Sequence, residues 1–274
     1  MRGRFLWLLV AATALVLAFL ALPLIALFLR VPPGELFSQL GDDAVVDALL
    51  VSLETSAIAH ALVLLLGTPT AYLLARRRFV GRSVAVALIE LPLVLPPAVA
   101  GIGLLAAFGR TGLLGQELDA LGISIPFTTT AVVLAVAFVE TPFYVRAAIA
   151  AFEGIDPALL DAGRTLGAGP GRVFARIALP LAAGGLMAGS VVALARGLGE
   201  FGATIVFAGS FPGVTQTLPL AIYAELDRDF DTALAIGALF ILVGAALLLA
   251  LRIVPGWTRS VSTSVTSSAP SISS

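Results

Sequence analysis

Uncharged apolar runs, separated by short charged clusters, organise this chain. Residues 5–29, 91–109, 120–139, 177–195 and 232–251 contain no acidic or basic side chain, and 55–75 contains only His60. A helix crossing a hydrocarbon core of about 30 Å needs about 20 apolar residues, so these runs predict six transmembrane helices. A further uncharged stretch, 201–224, is interrupted by Gly202, Gly209, Pro212, Gly213, Pro219 and the polar Thr215-Gln216-Thr217. Its first part reads as the end of the fifth helix, followed by a turn over 209–213. The remainder reads as a short outer or re-entrant segment, tolerated at membrane depth only where protein or water covers the backbone.

Arginine placement supports an even span count with both termini in the cytoplasm. The inner segments then hold Arg2, Arg4, Arg76, Arg77, Arg78, Arg82, Arg146, Arg164, Arg172, Arg176, Arg252 and Arg259, which is 12 of the 16 arginines, as the positive-inside rule requires. The outer segments collect Glu35, Asp42, Asp43, Asp47, Glu117, Asp119, Glu225, Asp227, Asp229 and Asp231. Seven spans would strand Arg252 and Arg259 outside. The first run exceeds the roughly 7–15 residues of a signal-peptide core and lacks a clear small-x-small site after it, so it reads as a retained helix. The expected organisation is a first helix with a short inner N-terminus (1–30), an outer loop (31–48), a five-helix membrane domain (49–255) and a disordered Ser/Thr-rich inner tail (256–274). No internal repeat relates the two halves, which disfavours a transporter built from inverted repeats.

Composition narrows the chemistry. Hydrophobic residues make up 59% and charged residues 12%, against about 25% charged in soluble chains, and mean hydropathy is +1.06. The chain is therefore expected to be an all-α polytopic membrane protein in contact with lipid. A net charge of −1 gives no electrostatic basis for nucleic-acid binding. There is no lysine, which excludes a Walker-A phosphate loop and a Schiff-base amine. There is no cysteine and one histidine, which excludes thiolate catalysis and starves any metal site of ligands. No metal and no resident cofactor are expected.

The longest inner connection, about 151–176, has its own pattern. Asp156-Pro157 reads as an N-cap with proline at the first helical position. Leu159, Leu160, Gly163 and Leu166 follow near one face, and Gly167 supplies a left-handed stop. Gly169-Pro170-Gly171 breaks the chain before a second helix near Arg172. Such a helix could rest on lipid or on its own bundle.

Asp161-Ala162-Gly163, three residues, Gly167, nine residues, then Ile177-Ala178-Leu179-Pro180 resembles the signature of ABC importer permeases, Glu-Ala-Ala, three residues, Gly, nine residues, Ile-x-Leu-Pro. Asp161 stands in for the Glu and Gly163 for the second Ala. The resemblance implies the type I ABC importer permease fold, six transmembrane helices with a cytoplasmic coupling helix, and makes 49–255 its transmembrane domain. Asp156, Asp161, Ala162, Gly163, Arg164, Gly167, Ile177, Leu179 and Pro180 are the implied coupling residues. Implied partners are a second copy of the chain, two cytoplasmic ABC ATPases that use ATP and Mg, and an external binding protein. The absent lysine agrees with energy supplied from outside the chain.

Leu91-Pro92-Leu93-Val94-Leu95-Pro96-Pro97, Ala162–Ala168, Ala195–Thr204 and Thr215-Gln216-Thr217-Leu218-Pro219-Leu220-Ala221-Ile222-Tyr223 resemble the molybdate/tungstate permease subfamily. Sulfate/thiosulfate permeases share the Arg-x-x-Gly-Glu-Phe-Gly-Ala core and remain the alternative. The implied binding-protein cargo is an oxyanion, and the implied location is the plasma (inner) membrane.

Among candidate pathway residues, Arg196 and Glu200 stand four apart on one helix face within the apolar belt. An ionisable group there costs about 2.5–3.5 kcal/mol on insertion scales. They either pair with each other or with a neighbour to fix packing or a gate, or they meet the passing dianion. Thr204, Thr215, Gln216 and Thr217 either donate to a tetrahedral oxyanion or serve helix packing and turns. Pro92, Pro96 and Pro97 are expected to kink or break the third helix entrance. Glu54 and His60 read as packing residues of the second span, and Glu90 and Glu140 as groups flanking the third and fourth. Two other classes compete. An ion-coupled secondary transporter using Glu54, His60 and Glu200 has no use for an ATPase-docking helix, and an intramembrane enzyme finds no catalytic constellation.

Overall fold

The structure is a computed structural model that describes residues 2–32, 34, 38 and 41–253. The expected tail 256–274, Arg259 and Glu35 lie outside the described residues. Helix α1 spans Arg2–Arg30 and α2 Asp43–Arg76. After α3 (Arg82–Glu90) a 3-10 turn (Leu91–Leu93) leads to α4 (Pro97–Phe108) and a short α5 (Gly115–Ala120). Then come α6 (Thr129–Glu153), α7 (Pro157–Thr165), α8 (Pro170–Leu198), α9 (Gly202–Phe207), α10 (Leu218–Glu225) and α11 (Phe230–Ile253). No strand occurs among the described residues.

Among the described residues, five helices are long and apolar enough to cross a membrane unbroken: α1, α2, α6, α8 and α11. The sixth is a broken unit, in which Arg82–Leu93 meets Pro97–Phe108 at 117°. The run 91–109 is thus not one helix with a kinked entrance but half of a bent pair. Pro96 and Pro97 bring no N–H to the ladder, and Pro96 disfavours α geometry at Leu95 before it. Pro96 adopts φ −56, ψ 135 and Pro97 takes the first position of α4.

Other boundaries also move. Helix α2 is capped by Asp42, whose side chain accepts from the Ala44 N–H, so residues 43–48 belong to the helix rather than to the outer loop. The fourth span runs over Thr129–Glu153 instead of 120–139. Gly122 at φ 70 and Phe127 at φ 62 keep the preceding chain irregular, and Thr128 accepts from Ala131 N–H to start the helix. Glu140 consequently sits inside this span, not at its edge. The fifth span starts at Pro170, seven residues before the uncharged run, because Arg172 and Arg176 occupy its first turns.

Helix α6 is central, with α2 and α8 against it and the α9–α4 pair beside it. Val132, Ala135, Val145, Ala148 and Phe152 are its buried apolar face. Gly185 and Gly189 of α8 meet Ala151 and Ala147, the small-residue contact that lets membrane helices approach where no hydrophobic drive joins them. Helix α1 leans on α11, with Leu27 against Gly237, and is otherwise largely exposed. Trp7, Phe19 and Leu29 are 75, 75 and 81% exposed, an apolar surface suited to lipid. At the N-terminal end of α11, Asp229 accepts from the Thr232 hydroxyl and from the Asp231 and Thr232 N–H groups. The Thr232 hydroxyl foremost holds its carboxyl below the usual range, so this cap persists above that range and weakens as pH falls through the lowered value.

Candidate functional site

Helix α7 is built by its ends. Asp156 Oδ1 accepts from the Ala158 N–H at 2.9 Å and Pro157 fills the first helical position. At the far end Gly167 has φ 82, its N–H donates to Arg164 O at 2.9 Å, and Ala168 N–H donates to Gly163 O at 3.0 Å. This pair of bonds is the Schellman stop. Leu160 and Gly163 are buried, whereas Leu159 and Leu166 are 49 and 88% exposed. The four residues therefore do not share one buried face, because Leu166 lies past the last turn. Asp161 and Arg164 pair at 2.7 Å in solvent, and Ala162 is exposed beside them.

The buried side of α7 rests on the start of α8. Gly163 lies against the far end of the Ile177 side chain, which a Cβ there would push aside. Ile177 belongs to a π turn, Phe174–Ala178, just before Leu179-Pro180. Pro180 lacks an N–H for the ordinary ladder, and the wider turn absorbs the mismatch, with Leu179 N–H bonded to Phe174 O.

Arg76 was legible only as one of an inner basic cluster. Its guanidinium donates to the carbonyls of Phe152 and, at 2.9 Å, Ile155, tying the end of α2 to the turn that launches α7. Arg82 braces the same corner through Glu153 at 2.8 Å and Leu74 O at 2.6 Å.

The second cluster surrounds the break between α8 and α9. Helix α8 ends at Leu198, so Glu200 is not on the same helix face as Arg196 but in the non-helical link. The two still pair at 2.8 Å, with side chains 33 and 1% exposed. Glu200 Oε1 also accepts from Ala203 N–H at 2.8 Å and so caps α9. That break also corrects the reading of 201–208 as a continuation of the fifth helix.

Thr204 is fully buried on α9 and its hydroxyl has no hydrogen-bond partner. The run Thr215–Thr217 forms a separate turn entering α10. Thr215 accepts from Phe211 N–H at 3.0 Å, and Gln216 donates to Ser210 at 3.2 Å. The Thr217 hydroxyl is buried without a partner. Ser52 of α2 caps α10 instead, accepting from Leu218 N–H at 2.7 Å. The structure thus joins Arg196 with Glu200 and gives Thr215 and Gln216 local partners. Two buried hydroxyls, Thr204 and Thr217, stay open. Ser52 and Ser190 had no sequence signal beyond polarity among apolar neighbours, and Glu140 read only as a group flanking the fourth span.

Comparison with known proteins follows the same lines. Residues 64–259 match the family described as "Binding-protein-dependent transport system inner membrane component". The "Molybdenum transport system permease protein ModB" of Mycobacterium tuberculosis is 48% identical over 237 residues, covering 85% of this chain and 88% of that protein. The "Sulfate transport system permease protein CysW" of Synechococcus elongatus is 37% identical over 209 residues, covering 76% and 73%. A chain of the bacterial alginate ABC transporter, solved with an alginate pentasaccharide-bound periplasmic protein, has the same fold. It superposes with TM-score 0.74 at 17% identity, covering 92% of this chain and 93% of that one.

Proposed function

We infer the function from one premise: the chain belongs to the binding-protein-dependent transport system inner membrane component family. It is a membrane-spanning permease subunit of an ABC importer, and its cargo is molybdate or the similarly shaped tungstate. The observation that carries the cargo is the 48% identity to a molybdenum permease across 85% of the chain. The sulfate permease, at 37%, supports the same class of tetrahedral dianion.

In this reading two copies of the chain pair in the inner membrane, with both termini in the cytoplasm. A binding protein delivers the oxyanion outside, and two ATPases use ATP and Mg inside. This subunit hydrolyses nothing itself. Exposed Leu159, Leu166 and the Asp161–Arg164 pair form the surface offered to the ATPase. The opposite side of α7 sits on Ile177, and from there α8 runs to Leu198, about 33 Å of helix. It ends at the Arg196–Glu200 pair. ATPase closure displaces α7, and α8 carries that displacement to the break beside the gate, a bias between two discrete bundle arrangements. Thr204 and Thr217 supply neutral donors along the path, which suits a cargo that has to leave.

The test is uptake of labelled molybdate, tungstate and sulfate into vesicles holding this chain, its ATPase and its binding protein. ATP-dependent uptake of molybdate or tungstate is expected. Sulfate uptake alone would move the chain to the sister group, and uptake under a proton gradient without ATPase would end the importer reading.

Arg76→Gln probes the corner behind α7. Losing charge-assisted bonds to two carbonyls costs about 1.5–3 kcal/mol. We expect uptake per ATP hydrolysed to fall about tenfold while the complex still assembles. An unchanged ratio would remove Arg76 from the coupling path.

A further inference from the structure

One polar cluster among the described residues has no part in the transport reading. His60 on α2 places Nδ1 2.9 Å from Glu140 Oε2 on α6 and Nε2 2.8 Å from Ser190 Oγ on α8. Three membrane-spanning helices therefore meet through one imidazole. The Glu140 side chain is fully buried, while that of His60 is 12% exposed, at the edge of an apolar cavity of about 430 Å³ lined by Leu53, Leu64, Leu194 and Leu247. Glu140 Oε1 has no hydrogen-bond partner and lies against Gly197 at the end of α8.

The surrounding charges are already engaged. On α8, Arg196 pairs with Glu200. On α6, Arg146 lies 3.8 Å from Glu90 and the Tyr144 hydroxyl bonds Thr68. On α2, Glu54 faces outward and is exposed. From α11 the cavity receives Leu247. Among the described residues, His60 is thus the ionisable group placed to compensate Glu140.

A carboxylate beside a neutral imidazole leaves a net negative charge in the bundle, and a protonated pair with a proton on each leaves a positive one. Either costs several kcal/mol without a partner. One proton on the pair is neutral, whichever group carries it. Ser190 suits both forms, because a hydroxyl accepts from Nε2–H or donates to a bare nitrogen.

We propose that His60, Glu140 and Ser190 form a proton-holding clamp, in which one proton shared by imidazole and carboxylate ties α2, α6 and α8 together beside the break that ends α8. These are positioning residues, acting through the helices they join. Removing the proton at alkaline pH leaves a buried anion against Gly197, and the end of α8 loses its anchor. The transport consequence rests on the permease reading, while the protonation state does not.

The chain has a single histidine, so full-length permease carrying ¹⁵N-histidine in lipid vesicles reports one site. Its nitrogen shifts give the imidazole charge near neutral pH. Infrared spectra of the same vesicles give the carboxyl state, read as the protonated-carboxyl band lost in Glu140→Gln. A charged imidazole without that band, or a neutral imidazole with it, supports the clamp. Neutral without the band, or charged with it, overturns the shared proton.

Function is read as the ratio of ATP-dependent molybdate uptake at alkaline to neutral pH in the whole complex. We expect the ratio to fall about tenfold in the wild type and to stay flat in Glu140→Gln, which is neutral without a proton. Equal ratios in both overturn the positioning role. The spectra need no cargo, so failure of the clamp and failure of the transport reading are told apart.

Discussion

Gly167→Pro abolishes ATP-dependent oxyanion uptake while the chain still inserts in the membrane. Gly167 stands at φ 82, and the proline ring confines φ to about −65°. Proline also removes the N–H that donates to Arg164 O at 2.9 Å and disfavours the helical geometry of Leu166 before it. The stop unravels, and with it the placement of Leu166 and the Asp161–Arg164 pair. The spans are untouched, since Gly167 has open space around it and lies outside all of them. Asparagine tolerates left-handed geometry, so Gly167→Asn keeps most of the uptake. Measuring uptake and ATP hydrolysis for both variants, beside membrane yield, separates loss of coupling from loss of folding. Full uptake by the proline variant would refute a docking role for α7.

Gly197→Ala has the next largest effect, and it acts on the bundle itself. A methyl group at this position would occupy the space of the Glu140 carboxylate, which His60 holds in place from the other side. If the helices part, the cost is that of overpacking, about 1–3 kcal/mol. If Glu140 swings away, it breaks its bond to His60 and leaves a buried charge unpaired, about 3–5 kcal/mol. Thermal unfolding of the purified complex should therefore shift clearly downward. Glu140→Ala empties the contested space, so the double variant Gly197→Ala/Glu140→Ala should be more stable than the two single losses added, by about 1 kcal/mol or more. Additive losses would mean the two residues do not compete for one space.

The helix over 157–165 and its ends were readable residue by residue because their signals are local. Asp156-Pro157 caps a helix and Gly167 stops one whatever surrounds them, and the structure has both. The bent third span was half legible. Three prolines announced an interruption, but the start of α3 at Arg82, after Gly81 at φ 94, lies where no uncharged run begins. The fourth span was misplaced because absence of charge marked its limits. Glu140 ended the run on paper, yet in the bundle a histidine 80 residues away receives it. Arg196 and Glu200 were found by the cost of charge in an apolar belt, while the helix end between them came from the capping of α9 by Glu200.

The sequence by itself determined that this chain is apolar enough to cross a membrane several times, and it carries the residue spacing of its permease family. Those properties follow from the transfer cost of charge and from the presence or absence of particular side chains, both of which add up along a chain. Only the tertiary structure decided which polar groups are partners. His60 with Glu140 and Ser190, Arg76 with the Phe152 and Ile155 carbonyls, and Ser52 with Leu218 each join distant segments. A buried hydrogen bond depends on distance and direction between two helices, and no periodicity within either one records it.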